Sequence, residues 1–253
     1  MTSDFTIMNS VYIPADLHPD KKFEDNYIAA RSRENRIYSD EEIARLPDTN
    51  PNHPHYKEWK IRKWSCKKLI SYLESKGRKL QILEVGCGNG WLSYELSRIP
   101  GGKVIGIDIN LTELKQAARV FHKSSKLKFV YGNFLSGILK DITFDVIVFA
   151  AAVQYFPSLP ELVNTCFEQL TQGGEVHIID SPFYTAGEID KAKKRSITYY
   201  ASLGFPELTG YYFHHSLSSL QPINHQLLFD PRSMKNRIFG RNHPFPWIQI
   251  KKD

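Results

Sequence analysis

Apolar residues along the chain alternate between short, largely apolar runs and helical stripes. The runs are residues 81–85, 103–107, 127–131, 144–149 and 175–180. Runs of this length, rich in Val, Ile, Leu and Phe, read as buried strands. Between them the apolar period lengthens. Trp59, Cys66, Ile70 and Leu73 share one face of a helix over residues 56–75, which ends at Gly77. Leu92, Leu96 and Ile99 line a second helix beginning after Gly90. Leu111, Leu114, Ala118 and Phe121 line a third, with Asn110 and Glu113 placed as a capping box. Leu159, Leu162, Val163, Cys166, Phe167 and Leu170 line a fourth, opened by Ser158 and Glu161 and stopped by Gly173-Gly174. Two further strands are expected over residues 224–230 and 245–250, separated by the turn-rich stretch 231–244. Strict alternation predicts an α/β fold: a doubly wound, mostly parallel seven-stranded sheet with helices on both faces.

Two regions stand outside the alternation. Residues 1–55 are polar and punctuated by Pro14, Pro19, Pro47, Pro51 and Pro54, which predicts an arm with short helical pieces. Residues 56–253 then form the main domain. Residues 181–215 are too long for an ordinary strand–helix connection of about 2–6 residues. They hold one amphipathic helix, capped by Thr185 and Glu188, and many aromatic residues. An insertion there, after the fifth strand, hangs over the carboxyl edge of the sheet as a lid.

Composition narrows the class. The 253 residues are 42% hydrophobic and 24% charged, enough apolar content to exclude a disordered chain. The longest wholly apolar run, residues 146–153, is far short of the about 20 residues that span a bilayer. Residues 1–10 carry no basic start and no apolar stretch of the secretory kind, so a cytoplasmic protein without a membrane partner is expected. Three scattered cysteines, Cys66, Cys87 and Cys166, give neither a disulfide framework nor a zinc site. They are expected as reduced thiols, and no metal is expected. The formal net charge of +6 permits nucleic-acid contact without requiring it.

Chemistry concentrates after the first run, in Glu84-Val85-Gly86-Cys87-Gly88-Asn89-Gly90. A side chain at Gly86 or Gly88 would keep a ligand from the backbone, and the helix start that follows offers free N–H groups. Asp108 stands at the end of the second run, where an acid accepts hydrogen bonds from both hydroxyls of a ribose. A dinucleotide fingerprint needs a third Gly or an Ala where this chain has Trp91 or Ser93. The phosphate-cradling Gly-x-x-x-x-Gly-Lys-Ser/Thr loop is also missing.

The spacing Glu-x-Gly-x-Gly-x-Gly, the acid at Asp108, Gly132-Asn133-Phe134 and Gly173-Gly174 together resemble class I S-adenosylmethionine-dependent methyltransferases over residues 82–184. The resemblance implies S-adenosylmethionine as cofactor. It places Gly86 and Gly88 under the methionine and ribose, with Glu84 ordering the loop and the ammonium end. Asp108 then holds the ribose diol, and Ile109 packs on the adenine. Asn133 accepts from the adenine amino group in place of the commoner Asp, next to Phe134. Ala150 and the segment after it, with Gln154 and Tyr155, face the methyl group. Gln154 stands where many relatives have His, so a family-type base is not expected there.

The lid supplies the remaining candidates. Tyr155, Tyr184 and Tyr211 are expected to border the substrate, and His214 is the candidate catalytic residue, placed to take a proton from a hydroxyl or amine. A packed histidine is the ordinary alternative. Arg62 is expected as an exposed helix charge, with the cofactor carboxylate as its second reading. Ser181-Pro182-Phe183-Tyr184 resembles the box of amino-group DNA methyltransferases but follows the wrong strand. The expected activity is methyl transfer to a small aromatic or apolar metabolite. RNA or protein methylation and non-catalytic cofactor binding are the alternatives.

Overall fold

The computed structural model describes residues 5–15, 17, 21–221, 223–234, 236 and 243–252. Pro19 of the arm, and residues 237–242 of the turn-rich stretch, lie outside the described residues. In chain order the strands are β1 (Phe5–Met8), β2 (Val11–Pro14), β3 (Gln81–Val85), β4 (Lys103–Asp108), β5 (Leu127–Tyr131), β6 (Phe144–Ala150), β7 (Leu170–Ile179), β8 (Phe183–Tyr184), β9 (His215–Ser216), β10 (His225–Phe229) and β11 (Trp247–Lys251). The helices are α1 (Lys21–Arg33), α2 (Asp40–Ile43), α3 (Tyr56–Glu74), α4 (Trp91–Ser97), α5 (Leu111–Val120), α6 (Leu159–Gln169) and α7 (Ala186–Ser202).

The main sheet has nine strands in the order β1-β2-β5-β4-β3-β6-β7-β11-β10. Its centre is parallel, while β11 and β10 return antiparallel at one edge. The expected seven strands are all present. The two additional ones correct the reading of the arm: residues 5–14 form an antiparallel hairpin whose second strand pairs in parallel with β5. Four-residue strands leave too little periodicity to be read from the sequence. Gly173-Gly174 also lies inside β7 rather than ending α6, with the pairing register to β6 shifting across this segment.

Burial alternates along the central strands, as a two-faced sheet requires. Val146, Val148 and Ala150 pack with α3, α4 and α5 residues such as Leu69, Leu92 and Leu114. Ile147 and Phe149 face the opposite layer, with Leu162, Val163 and Cys166 of α6. Connections run toward β4 and β5 on one side of β3 and toward β6 on the other. The carboxyl ends of β3 and β6 therefore flank a topological switch point, where sheets of this type bind ligands.

All three cysteines are buried and free. Burial raises every one of their pKa values, pushing Cys66 up to about 12. Thiolate is the reactive form. Iodoacetamide at mildly alkaline pH is therefore expected to leave the folded protein unmodified and to label all three thiols after denaturation. Mass spectrometry reads the difference, and rapid labelling of the native chain would contradict it.

Candidate active site

The glycine loop is held by its neighbours. Gly86 (φ +72°) and Cys87 both donate their N–H groups to Ile107 O, at 2.9 and 3.2 Å. A Cβ on Gly86 would stand 2.8 Å from Ala152 Cβ, so this glycine lets the loops after β3 and β6 touch. Its small size serves that contact first. Gly88 (φ +49°) donates its N–H to Asp108 Oδ2 at 2.7 Å, and Asn110 N–H donates to Asp108 Oδ1 at 2.8 Å. Asp108 is thus latched to the loop it serves. Each carboxylate oxygen retains acceptor capacity, because an ionised Asp offers about four lone-pair sites.

The floor of the site is acidic. Glu84 is buried and accepts from Ser93 Oγ. Burial pushes its pKa up to about 8; the Ser93 hydrogen bond opposes this and Asp108 adds to it. Asp108 and Glu113 are both raised as well, chiefly by burial. Asn110 Oδ1 accepts from Glu113 N–H at 3.0 Å, but the Glu113 carboxylate turns to the site. Its Oε2 lies 3.5 Å from where a Cβ on Gly88 would stand. Three buried acids, all with raised pKa values, suit a ligand that brings positive charge.

This sets a pH dependence. An acid whose folded pKa is raised contributes stability that is complete below about pH 4.5 and lost as pH rises through the folded value, here about 8 for Glu84. The empty protein is expected to lose melting temperature across that window, and Glu84→Gln to flatten the profile. A cationic ligand favours the ionised acids, so its binding near pH 7 should release protons, seen as buffer-dependent calorimetric heat. Parallel melting profiles for the two proteins would contradict the assignment.

Above the floor, a cavity of about 950 Å³ is closed by the arm on one side and the lid on the other. Phe23, Tyr27 and Arg31 recur every four residues on α1 and all line it. Phe23 packs on Tyr211 of the lid at 4.7 Å between ring centroids. Asn26 donates to Glu207 at 2.8 Å, Arg33 to Leu203 O, and the Tyr199 hydroxyl to Glu34. Arm and lid therefore meet over the carboxyl edge of the sheet.

The candidate residues are mostly gathered here. Glu84, Gly86, Gly88, Asp108, Ile109, Asn133, Phe134, Ala150, Gln154, Tyr155, Tyr184 and Tyr211 all line the cavity. Asn133 is partly committed: its Oδ1 accepts from Leu135 N–H at 3.0 Å, leaving one lone pair for a ligand. Two residues depart from expectation. His214 does not line the cavity; it sits behind Tyr184 and Tyr212, with Nε2 2.9 Å from Ser196 Oγ. Tyr184 and Tyr212, which do line the cavity, pack against its ring. Arg62 is not a solvated charge. Its side chain is about 20% exposed, it bonds Glu58 at 2.9 Å, and it borders the cavity beside Trp59. The sequence reading does not reach Arg31 and Tyr27, and it takes Glu113 only as a helix cap. The four-residue spacing on α1 was the signal for the first two.

A family model described as a methyltransferase domain matches residues 76–225, more than half of the chain. The chain belongs to the methyltransferase domain family. It is 28% identical over 152 residues to a sterol 24-C-methyltransferase of Gibberella zeae, covering 59% of this chain and 40% of that protein. It is 27% identical over 126 residues to the Saccharomyces cerevisiae sterol 24-C-methyltransferase, covering 49% and 33%. The chain thus spans less than half the length of these methyltransferases. Among solved structures, the magnesium protoporphyrin IX methyltransferase of Synechocystis with bound SAH superposes with a TM-score of 0.58 at 14% identity. That alignment covers 92% of this chain and all of the other, and it shows a shared methyltransferase fold. No described helix is long and apolar enough to cross a membrane.

Proposed function

We propose that this methyltransferase binds S-adenosylmethionine on the Gly86–Gly88 loop and transfers its methyl group to a small molecule held under the lid. The observation that carries the reading is the loop latched to Asp108 above an acidic floor. The residues fit the cofactor: Asp108 has free acceptor sites for the ribose diol, Glu84 and Glu113 face its positive charges, and Ile109 offers an apolar surface to its base. Arg62, beside Trp59, is placed for its carboxylate. When bound, the cofactor supplies an electrophilic methyl on a sulfonium.

The chain's own contribution is alignment and exclusion of water. Tyr155 and the lid tyrosines enclose the acceptor side, while the arm closes the opposite wall. His214 acts as a positioning residue through Ser196 and the tyrosines in front of it. The relatives' sterol and porphyrin substrates support a small acceptor. The experiment is incubation with methyl-labelled cofactor and a fractionated cell extract. The label should enter the small-molecule fraction; label in protein or RNA would overturn the acceptor assignment.

A further inference from the structure

We propose that the acceptor is a small amine carrying a carboxylate, methylated on its nitrogen. Arg31 holds the carboxylate, Gln154 receives an N–H, and tyrosine rings enclose the nitrogen. The inference rests on the transferase reading above and names its substrate class.

Charge on the cavity walls gives the first argument. Arg31, Arg36, Arg62 and Arg195 line the arm and lid sides, against Glu34 and Glu58. Glu58 is held by both Arg36 and Arg62. Glu34 is shared by Arg31, Arg36 and the Tyr199 hydroxyl. On these walls alone the four arginines outnumber the two glutamates, while Glu84, Asp108 and Glu113 of the floor stand opposite the cofactor's ammonium and sulfonium. The cofactor's single carboxylate balances one arginine, Arg62.

Arg31 is the group placed to take a second carboxylate. Its Cζ lies 5.8 Å from the Tyr27 ring centroid, and Nη1 is bonded to Glu34 at 3.0 Å. Its buried Nε has no acceptor among the described residues. A guanidinium is always charged, and its planar fork matches a carboxylate.

Gln154 gives the second, independent argument. The residue is 7% exposed and lines the cavity. Its Nε2 donates to Ala151 O at 2.5 Å, which fixes the amide, since a flip would set two oxygens face to face. Its Oε1 is buried with no partner among the described residues. A buried acceptor left unpaired is costly, so a donor from the ligand is the natural complement. Glutamine accepts a hydrogen bond without removing the proton.

Nitrogen is favoured over oxygen because the rings around Gln154 are phenols rather than bases. Burial raises the phenols of Tyr27, Tyr155, Tyr200 and Tyr212, so they stay protonated. Glu34 is held by three partners, Glu113 faces Gly88 and Arg31 with its pKa raised by burial, and His214 does not line the cavity. A hydroxyl would have to lose a proton held far more tightly to attack well; an amino acid's ammonium first gives one proton to water, and the neutral amine then attacks with its own lone pair. As the nitrogen–methyl bond forms, the methyl–sulfur bond breaks, and the positive charge passes from sulfur to nitrogen. The sulfur keeps the electron pair as a neutral thioether, and the new ammonium loses one proton to water. Tyr27, Tyr155, Tyr212 and Tyr200 form a linked row, with successive centroids 6.5, 5.9 and 6.1 Å apart. Such rings stabilise a cation at nitrogen.

The test uses the full chain loaded with S-adenosylhomocysteine and a panel of aromatic and aliphatic amino acids. Each is paired with its decarboxylated amine and its des-amino acid. Saturation-transfer NMR reads binding without turnover, and thermal melting checks that each variant is folded. At least one amino acid is expected to bind at least tenfold more tightly than both of its partners. Arg31→Gln should erase the preference over the amine, and Gln154→Leu the preference over the des-amino acid. With labelled S-adenosylmethionine the same amino acid should take the label on nitrogen. Amines binding as tightly as amino acids, label on the oxygen of a des-amino acid, or no binding by any panel member would each overturn the proposal. An equal loss of cofactor affinity in folded Arg31→Gln would assign that carboxylate site to the cofactor and overturn it too. Failure of the wild-type chain to bind the cofactor at all would instead refute the transferase reading.

Discussion

Asp108→Ala is expected to lower affinity for S-adenosylmethionine by roughly 100- to 1,000-fold, with the fold retained. The side chain has two tasks. It accepts from Gly88 N–H and Asn110 N–H, so it shapes the loop. It also offers its remaining lone pairs to the ribose diol. Hydrogen bonds to a charged group are worth about 1.5–3 kcal/mol each, and an unpaired buried donor adds its own cost. Losing the diol contacts and the latch together comes to about 3–4 kcal/mol, which is that range of dissociation constants. Asp108→Asn keeps one acceptor oxygen and should fall between. Calorimetry on both variants, with circular dichroism for the fold, checks this. A loss under tenfold would show that Asp108 does not hold the ligand.

The largest stability effect is expected at Gly90. Its φ is +75°, and an added Cβ would stand 2.6 Å from Phe129 Cζ and 2.8 Å from Ala117 Cβ. Left-handed backbone costs a residue with a Cβ about 1–2 kcal/mol. Overpacking against a ring and a helix methyl adds about 1–3 kcal/mol. For a chain of this length, 1 kcal/mol moves the melting temperature by about 2–4 °C, so Gly90→Ala should lower it by roughly 4–20 °C. Gly137 also has positive φ (+74°) but nothing within 4 Å of its added Cβ. Gly137→Ala therefore carries only the backbone cost. Equal melting temperatures for the two variants would show that Phe129 and Ala117 do not confine Gly90.

These two residues also show what the sequence disclosed. The strand of residues 81–85, the glycines and Asp108 lie close together in the chain, and local spacing carries their meaning. Gly90 illustrates the limit, because its constraint comes from Phe129 on β5 and Ala117 on α5. The arm was harder still. Its hairpin has four-residue strands, and its α1 helix has its aromatic face toward the cavity rather than the core. Periodicity marks a face without saying what covers it. Arg62 follows the same rule: a helix charge looks solvated in the sequence until the fold brings Glu58, Arg36 and a cavity to it. His214 lies in the expected lid, but the side on which its ring falls is set by Tyr184, Tyr212 and Ser196, which only the folded chain brings together. Gln154 and Glu113 were visible as residues. Their unpaired oxygen and raised pKa were not, because both follow from burial.

The most direct measurement is an isothermal titration of the purified chain with S-adenosylmethionine, S-adenosylhomocysteine and NAD. The account predicts one site for each of the first two ligands, no heat of binding for NAD, and proton release near neutral pH that shrinks in Glu84→Gln. Binding of NAD, or no binding of S-adenosylmethionine to the folded protein, would contradict it.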